Sequence, residues 1–182
     1  MSGIANYTDD DIKTLSPREH IRLRPGMYIG KLGDGTAPDD GIYVLIKEVM
    51  DNSVDEFIMG AGKVIEITVE GKAVTIRDYG RGIPLKSLAA AVSEMNTGGK
   101  YGSAAFEKTV GLNGVGVKAV NMLSSEFMAR SVRDGEAHTV HFAAGIQQDD
   151  IWESGVNERT GTLIRFVVDE EVFGEYSYNL EY

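Results

Sequence analysis

Residues 42–78 read IYVLIKEVMDNSVDEFIMGAGKVIEITVEGKAVTIRD, and the apolar spacing changes halfway along them. Ile46, Val49, Met50, Val54, Phe57 and Ile58 recur at helical spacing, which predicts a helix from Ile42 to about Met59. VIEITVE (64–70) and AVTIRD (73–78) alternate with the period of a strand, and Gly71-Lys72 between them suits a II′ hairpin turn. A helix followed at once by a hairpin is the start of a layer of helices on an antiparallel sheet.

The flanks extend that pattern. Ser16-Pro17-Arg18-Glu19 is a capping box with Pro at the first helical position, so a short helix should run from Pro17 to about Leu23 and stop before Pro25-Gly26. Residues 30–41 read as a loop, and residues 1–11 as a polar, acidic arm whose one aromatic is Tyr7. After the hairpin, Tyr79 to Pro84 turns the chain and a helix follows over about Leu85 to Met95. Residues 96–113 carry no steady period and read as a long loop, after which a helix begins near Gly114 and runs to about Leu123. EFMARSVR (126–133) and EAHTVHF (136–142) flank Asp134-Gly135, a type I′ hairpin signal, and GTLIRFVV (161–168) is a final strand. The fold class is therefore α+β, a two-layer sandwich of helices on a mainly antiparallel or mixed sheet.

Composition narrows the chemistry. The 182 residues carry 18 Lys+Arg against 28 Asp+Glu, a net charge of −10 that argues against this segment gripping DNA or an anionic membrane by bulk electrostatics. With no Cys, disulfides, thiolate catalysis and Cys-ligated zinc are excluded, which fits a reducing, cytoplasmic setting. No long apolar run or basic leader is present, so neither a membrane span nor secretion is expected. Glycine is the excess, 22 of 182 residues, roughly twice the usual share of about 7%.

Those glycines sit in motifs. Glu48, Asn52 and Glu56 follow one another at four-residue steps and share a helix face. By base rate such a face is solvated, but Val44 and Leu45 point to the same side one turn earlier and Asn is a poor helix former, so a partly covered polar face is the better reading. A carboxylate there can take a proton from water, and an amide oxygen one turn on is a hard ligand suited to Mg²⁺. Asp78 ends a strand before Gly80-Arg81-Gly82, most often plain turn chemistry. A buried carboxylate there would instead accept from the amino group of adenine and repel the carbonyl of guanine. Gly111-Leu112-Asn113-Gly114-Val115-Gly116-Val117 opens a helix and reads as a phosphate cradle. Gly114 to Ala119 is formally GxGxxA, yet no strand precedes it, and no lysine lies in a P-loop context. Lys100, after Gly98-Gly99, could add charge to the phosphates, while His20, His138 and His141 read as surface or structural.

ExxxN at 48–52, DxGxG at 78–82 and the late GxG at 114–116, taken in order, resemble the GHKL ATPase family shared by type II DNA topoisomerases, heat-shock chaperones, mismatch-repair ATPases and histidine kinases. RPGMYIG (24–30), DNSVDE (51–56), RGIP (81–84), GGK (98–100) and GLNGVG (111–116) look specifically like the B subunits of bacterial type II topoisomerases, gyrase or topoisomerase IV, over about Ile12 to Phe173. Asn113 where His is common, and the segments 95–97 and 102–105, depart from the usual pattern and lean toward topoisomerase IV.

The resemblance implies a Bergerat-type ATP-binding domain over residues 12–182, with ATP and Mg²⁺ as cofactors. It implies Glu48 as general base, Asn52 as Mg²⁺ ligand and Asp78 as adenine ligand, with Thr162 assisting through water. Arg81 would pair with Glu56 and cover the base beside Gly82, Ile83 and Pro84. Lys100 and the amides of Gly111, Leu112, Asn113, Gly114, Val115, Gly116 and Val117 would hold phosphates, Arg133 would line the mouth, and Tyr7 would reach the nucleotide of a partner protomer. The implied partners are a topoisomerase A-type subunit, duplex DNA, and a second copy of the B-type chain on ATP binding. Relative to that family the chain reads as a fragment lacking the transducer and DNA-cleavage regions, expected to be monomeric alone and to bind ATP with weak hydrolysis. A nucleotide sensor without catalysis is the alternative from another class, and Glu48 speaks against it. A histidine kinase would carry a second Asn there, and RPGMYIG and GGK disfavour a chaperone.

Overall fold

A computed structural model describes residues 14–95 and 114–182. The capping box forms as expected, Ser16 and Glu19 exchanging hydrogen bonds at the start of α1 (Pro17–Leu23). Pro25-Gly26 does stop that helix, but the chain then makes one further turn, α2 (Gly26–Ile29), which the sequence pattern does not foretell. The long helix is α3 (Gly41–Ile58). Asp40, fully buried before it, accepts from the amides of Gly35 (2.9 Å) and Ala37 (3.2 Å) and pairs with Lys31 (2.7 Å). The loop is thereby tied to the start of the helix that carries the polar face, where negative charge is favoured by the backbone dipole.

Strands β1 (Ile65–Glu70) and β2 (Ala73–Asp78) form the first hairpin. The helix expected over 85–95 is a 3₁₀ turn (Leu85–Ser87) running into α4 (Leu88–Ser93). Helix α5 (Gly116–Met122) begins two residues later than expected. β3 (Ser124–Arg133) and β4 (Glu136–Ala143) meet at a type I′ turn, Asp134 and Gly135 having φ of 53° and 78°. Ala144 (φ 48°) and Gly145 (φ 80°) repeat that geometry and lead into β5 (Ile146–Ser154), an unforeseen strand, exposed along its whole length. β6 (Gly161–Val168) and the short α6 (Glu170–Phe173) follow. The arm read over residues 1–11 lies outside the described residues.

The sheet order is β1-β2-β6-β3-β4-β5 and every pairing is antiparallel. Insertion of β6 between β2 and β3 places Gly161 and Thr162 beside the end of β2. Helices cover one face. Val74 and Ile76 of β2, Phe127 and Ala129 of β3 and Phe166 of β6 are buried with Ile42, Leu45 and Val49 of α3, Leu88 and Val92 of α4, and Val120 of α5. Each such side chain contributes roughly 1.5–3 kcal/mol, more than an exposed ion pair, so this layer rather than the charged surface holds the helix face and the strand ends in register. Among the described residues no helix is long and apolar enough to cross a membrane.

Candidate functional site

The polar face of α3 meets the ends of β2 and β6 and the start of α5. Glu48 is half-buried, and its carboxylate lies against α5: a Cβ on Gly116 would overlap Oε2 and sit 2.9 Å from Cδ. Burial raises the Glu48 pKa above the ordinary carboxyl value, with the charge of Asp51 adding and that of Lys47 opposing. One turn on, Asn52 is exposed and its Nδ2 donates to the Glu48 carbonyl at 3.0 Å, so the amide oxygen is the atom that could ligate a cation. Glu56 accepts from Arg81 three times, from the backbone N–H (3.0 Å), Nε (3.0 Å) and Nη2 (2.8 Å). Because the Arg81 side chain is 55% exposed, this fork fixes orientation more than it stabilises the fold, exposed pairs being worth at most about 1 kcal/mol.

Asp78 is buried at the end of β2. Its Oδ1 accepts from the amides of Gly80 (2.9 Å) and Thr162 (3.2 Å), and its Oδ2 has a longer contact, 3.4 Å, with the Ser53 hydroxyl. Desolvation raises its pKa, and the two amides pull the other way. Asp78, Ser53 and Gly80 line a cleft of about 170 Å³. Gly161 makes the junction possible: its φ of +146° is closed to most L residues, and a Cβ there would lie 2.9 Å from the Tyr79 Cα. Thr162 thus reaches Asp78 through its backbone N–H, a direct contact beyond the water-mediated role expected of it.

Ile83 packs against the core and Pro84 is exposed. Arg133, at the end of β3, comes beside Gly82, where an added Cβ would lie 3.0 Å from the Arg133 Cγ. Gly114, Val115, Gly116 and Val117 form the entry to α5, with Val115 as N-cap and no side-chain cap, so the first amides of that turn are not taken up by a capping residue. Tyr7, Lys100, Gly111, Leu112 and Asn113 lie outside the described residues.

Two positioning side chains were not anticipated. Ser131 Oγ donates to the Ile83 carbonyl at 2.6 Å, and the Nδ1 of the buried His138 bonds the Leu85 carbonyl at 2.6 Å. They are cross-strand partners in the β3–β4 hairpin, so one rung of the sheet holds the carbonyls on both sides of Pro84. His138 is fixed in turn by Asp150 (2.7 Å) and by the Trp152 ring stacked 3.9 Å away. The signal was present: a two-residue turn at Asp134-Gly135 sets residue 131 opposite 138, although nothing in the sequence names the carbonyls they meet.

The arrangement offers a base on one helix, an oxygen ligand one turn away, a buried acceptor for an amino group and a turn of uncapped amides. The chain is similar to proteins of known kind. The sequence pattern of the histidine kinase-, DNA gyrase B- and HSP90-like ATPases matches residues 38–171. The B subunit of DNA topoisomerase 4 from Borreliella burgdorferi is 53% identical over 179 residues, which are 97% of this chain and 29% of that protein. The B subunit of DNA gyrase from Treponema denticola is 35% identical over 187 residues, 97% of this chain and 28% of that protein. The chain therefore spans less than a third of the length of these relatives. Among solved structures, the 43K ATPase domain of Thermus thermophilus gyrase B in complex with an aminocoumarin superposes with a TM-score of 0.74 at 27% identity, covering 90% of this chain and 42% of that one.

Proposed function

The chain belongs to the histidine kinase-, DNA gyrase B- and HSP90-like ATPase family, and on that premise we propose that it is the ATP-binding domain of the B-type subunit of a bacterial type II topoisomerase. The observation that carries the reading is Asp78: a buried carboxylate lining a cleft, its Oδ1 taken up by two amides and its Oδ2 in a longer 3.4 Å contact with the Ser53 hydroxyl. An ionised carboxylate only accepts, so it favours the amino edge of adenine over the carbonyl edge of guanine.

The residues fit the nucleotide and its metal. The Asn52 amide oxygen would hold Mg²⁺, which takes few protein ligands and binds together with phosphates. Mg²⁺, when bound, supplies positive charge that offsets the triphosphate. Arg81, held by Glu56, covers the base with Gly82, Ile83 and Pro84, and Arg133 lines the mouth. The amides from Gly114 to Val117 would hold phosphate oxygens, and Lys100 and residues 111–113, which lie outside the described residues, are phosphate ligands by resemblance to the family. Glu48 orients the attacking water and takes its proton, a task suited to a carboxylate whose pKa burial has raised above its ordinary value.

In the whole protein, ATP binding would join two copies of the B-type chain, with Tyr7 of the 1–11 arm reaching across, and close a clamp on duplex DNA. Hydrolysis would reopen it, alongside an A-type subunit in the cytoplasm. The higher identity to a topoisomerase IV relative, 53% against 35% for the gyrase relative, favours topoisomerase IV. Calorimetry with a non-hydrolysable ATP analogue and its guanine counterpart tests the site. Wild type should prefer adenine, and Asp78→Asn should lose about tenfold or more in adenine affinity. Equal affinity for both bases, or an unaffected Asp78→Asn, would overturn the reading.

A further inference from the structure

Asp78 turns toward the helices, meeting Ser53 of α3, while the residue before it turns the other way. Val74 and Ile76 are buried under the helix layer, so the alternation of β2 sends Arg77 to the opposite face of the sheet. Arg77 is nonetheless only 8% exposed there. Its Nη2 donates to the Arg159 carbonyl at 2.5 Å, and among the described residues its buried Nη1 has no hydrogen-bond partner. A guanidinium half-satisfied in this way adds little to stability, because one bond only partly offsets the cost of burying it. What the bond does is fix a backbone. Tyr79 holds the same residue by its side chain: the Arg159 guanidinium carbon lies 4.2 Å from the Tyr79 ring centroid and that of Arg77 lies 5.0 Å away, while the Tyr79 hydroxyl donates to Glu66 at 2.7 Å.

Arg159 stands two residues before Gly161 and three before Thr162. A Cβ on Gly161 would lie 2.2 Å from the Asp78 carbonyl oxygen, and the Thr162 N–H donates to Asp78 Oδ1 at 3.2 Å. The residues on either side of Asp78 therefore grip the chain just before it enters β6, and a shift at Arg159 passes within three residues to the amide that orients the Asp78 carboxylate. We propose that Arg77 is a positioning residue for base recognition: with Tyr79 it braces Arg159 and so keeps the Thr162 amide on Asp78 and the carboxylate in the orientation that accepts from adenine. This rests on the reading of Asp78 as the adenine ligand, and it adds a determinant of base affinity that acts from the face of the sheet opposite that carboxylate.

The test is calorimetric titration of the wild-type chain, Arg77→Met and Arg77→Lys, each with and without Asp78→Asn, against a non-hydrolysable ATP analogue and adenosine. Arg77→Met should bind both compounds about tenfold more weakly. Arg77→Lys, which keeps a donor, should recover most of that loss, and neither substitution should cost further affinity once Asp78→Asn is present. Undiminished affinity in Arg77→Met, a loss with the charged analogue alone, or the same fractional loss with and without Asp78→Asn would overturn the assignment, the last showing an arginine that serves only the fold. Should Arg77→Met fail to fold, Arg159→Ala, which strips an exposed side chain from the Tyr79 ring, takes its place. A loss of about threefold for both compounds, present only while Asp78 is intact, is then expected, and binding equal to wild type refutes the brace. If Asp78→Asn alone binds as wild type does, the base-pocket reading fails and the brace falls with it.

Discussion

The Glu48 carboxylate occupies the space that any side chain at position 116 would need. Gly116→Ala therefore acts on the base. The nearest obstruction is the end of a flexible side chain, so the stability loss should fall at the low end of the overpacking range, about 1 kcal/mol. Glu48 must turn away, and hydrolysis by the full-length protein should fall on the order of 10²-fold while adenosine affinity is retained. Phosphate release measured beside calorimetric binding checks this; wild-type turnover would show that Glu48 has no part in activating water.

The pH dependence of stability follows from the same carboxyl. Burial raises the Glu48 pKa in the folded chain. A group whose folded pKa is raised contributes stability that is fully present below its unfolded value, about 4.3 for Glu, and lost as pH rises through the folded value. Glu48→Gln, which cannot ionise, should melt higher than wild type at neutral pH, and the gap should close on acidification. Thermal melts across that range test the sign, and a gap that widens toward acid would refute it.

His138 is the third test. His138→Ala removes the bond to the Leu85 carbonyl, the pair with Asp150 and the ring stacked on Trp152. Stability should fall by about 1–3 kcal/mol, and nucleotide affinity should fall with it because the Ile83–Leu85 segment loses its side-chain anchor at Leu85. Urea denaturation and calorimetry report the two effects. Unchanged affinity in a destabilised variant would confine His138 to the scaffold.

What the sequence disclosed was local. The Ser16–Glu19 box, the helix over 42–59 and the turns at Gly71-Lys72 and Asp134-Gly135 are decided by residues within a few positions of one another, and each formed within a residue or two of expectation. β5 escaped because IQQDDIWES at the sheet edge buries no face, so it shows no alternation of polarity. α2 escaped because Pro25-Gly26 signals a stop and says nothing of a turn that follows. In the site, Glu48, Asn52 and Glu56 were legible from helical spacing and Asp78 from its place before two glycines. The contact of His138 was not, since it depends on burial and on a carbonyl supplied by another element.

The place of β6 between β2 and β3 bears on how the molecule is made. Asp78 and Thr162 are 84 positions apart and meet only when β6 slots into the gap. A nascent chain emerging from the ribosome has every helical residue of the candidate site available long before the floor of the proposed base pocket exists, and such distant pairings are slow to form. Until then the flanks of β2 and β3 stand unzipped, the state most open to aggregation and to chaperones. Adenine uptake should thus mark the end of biogenesis rather than guide its early steps.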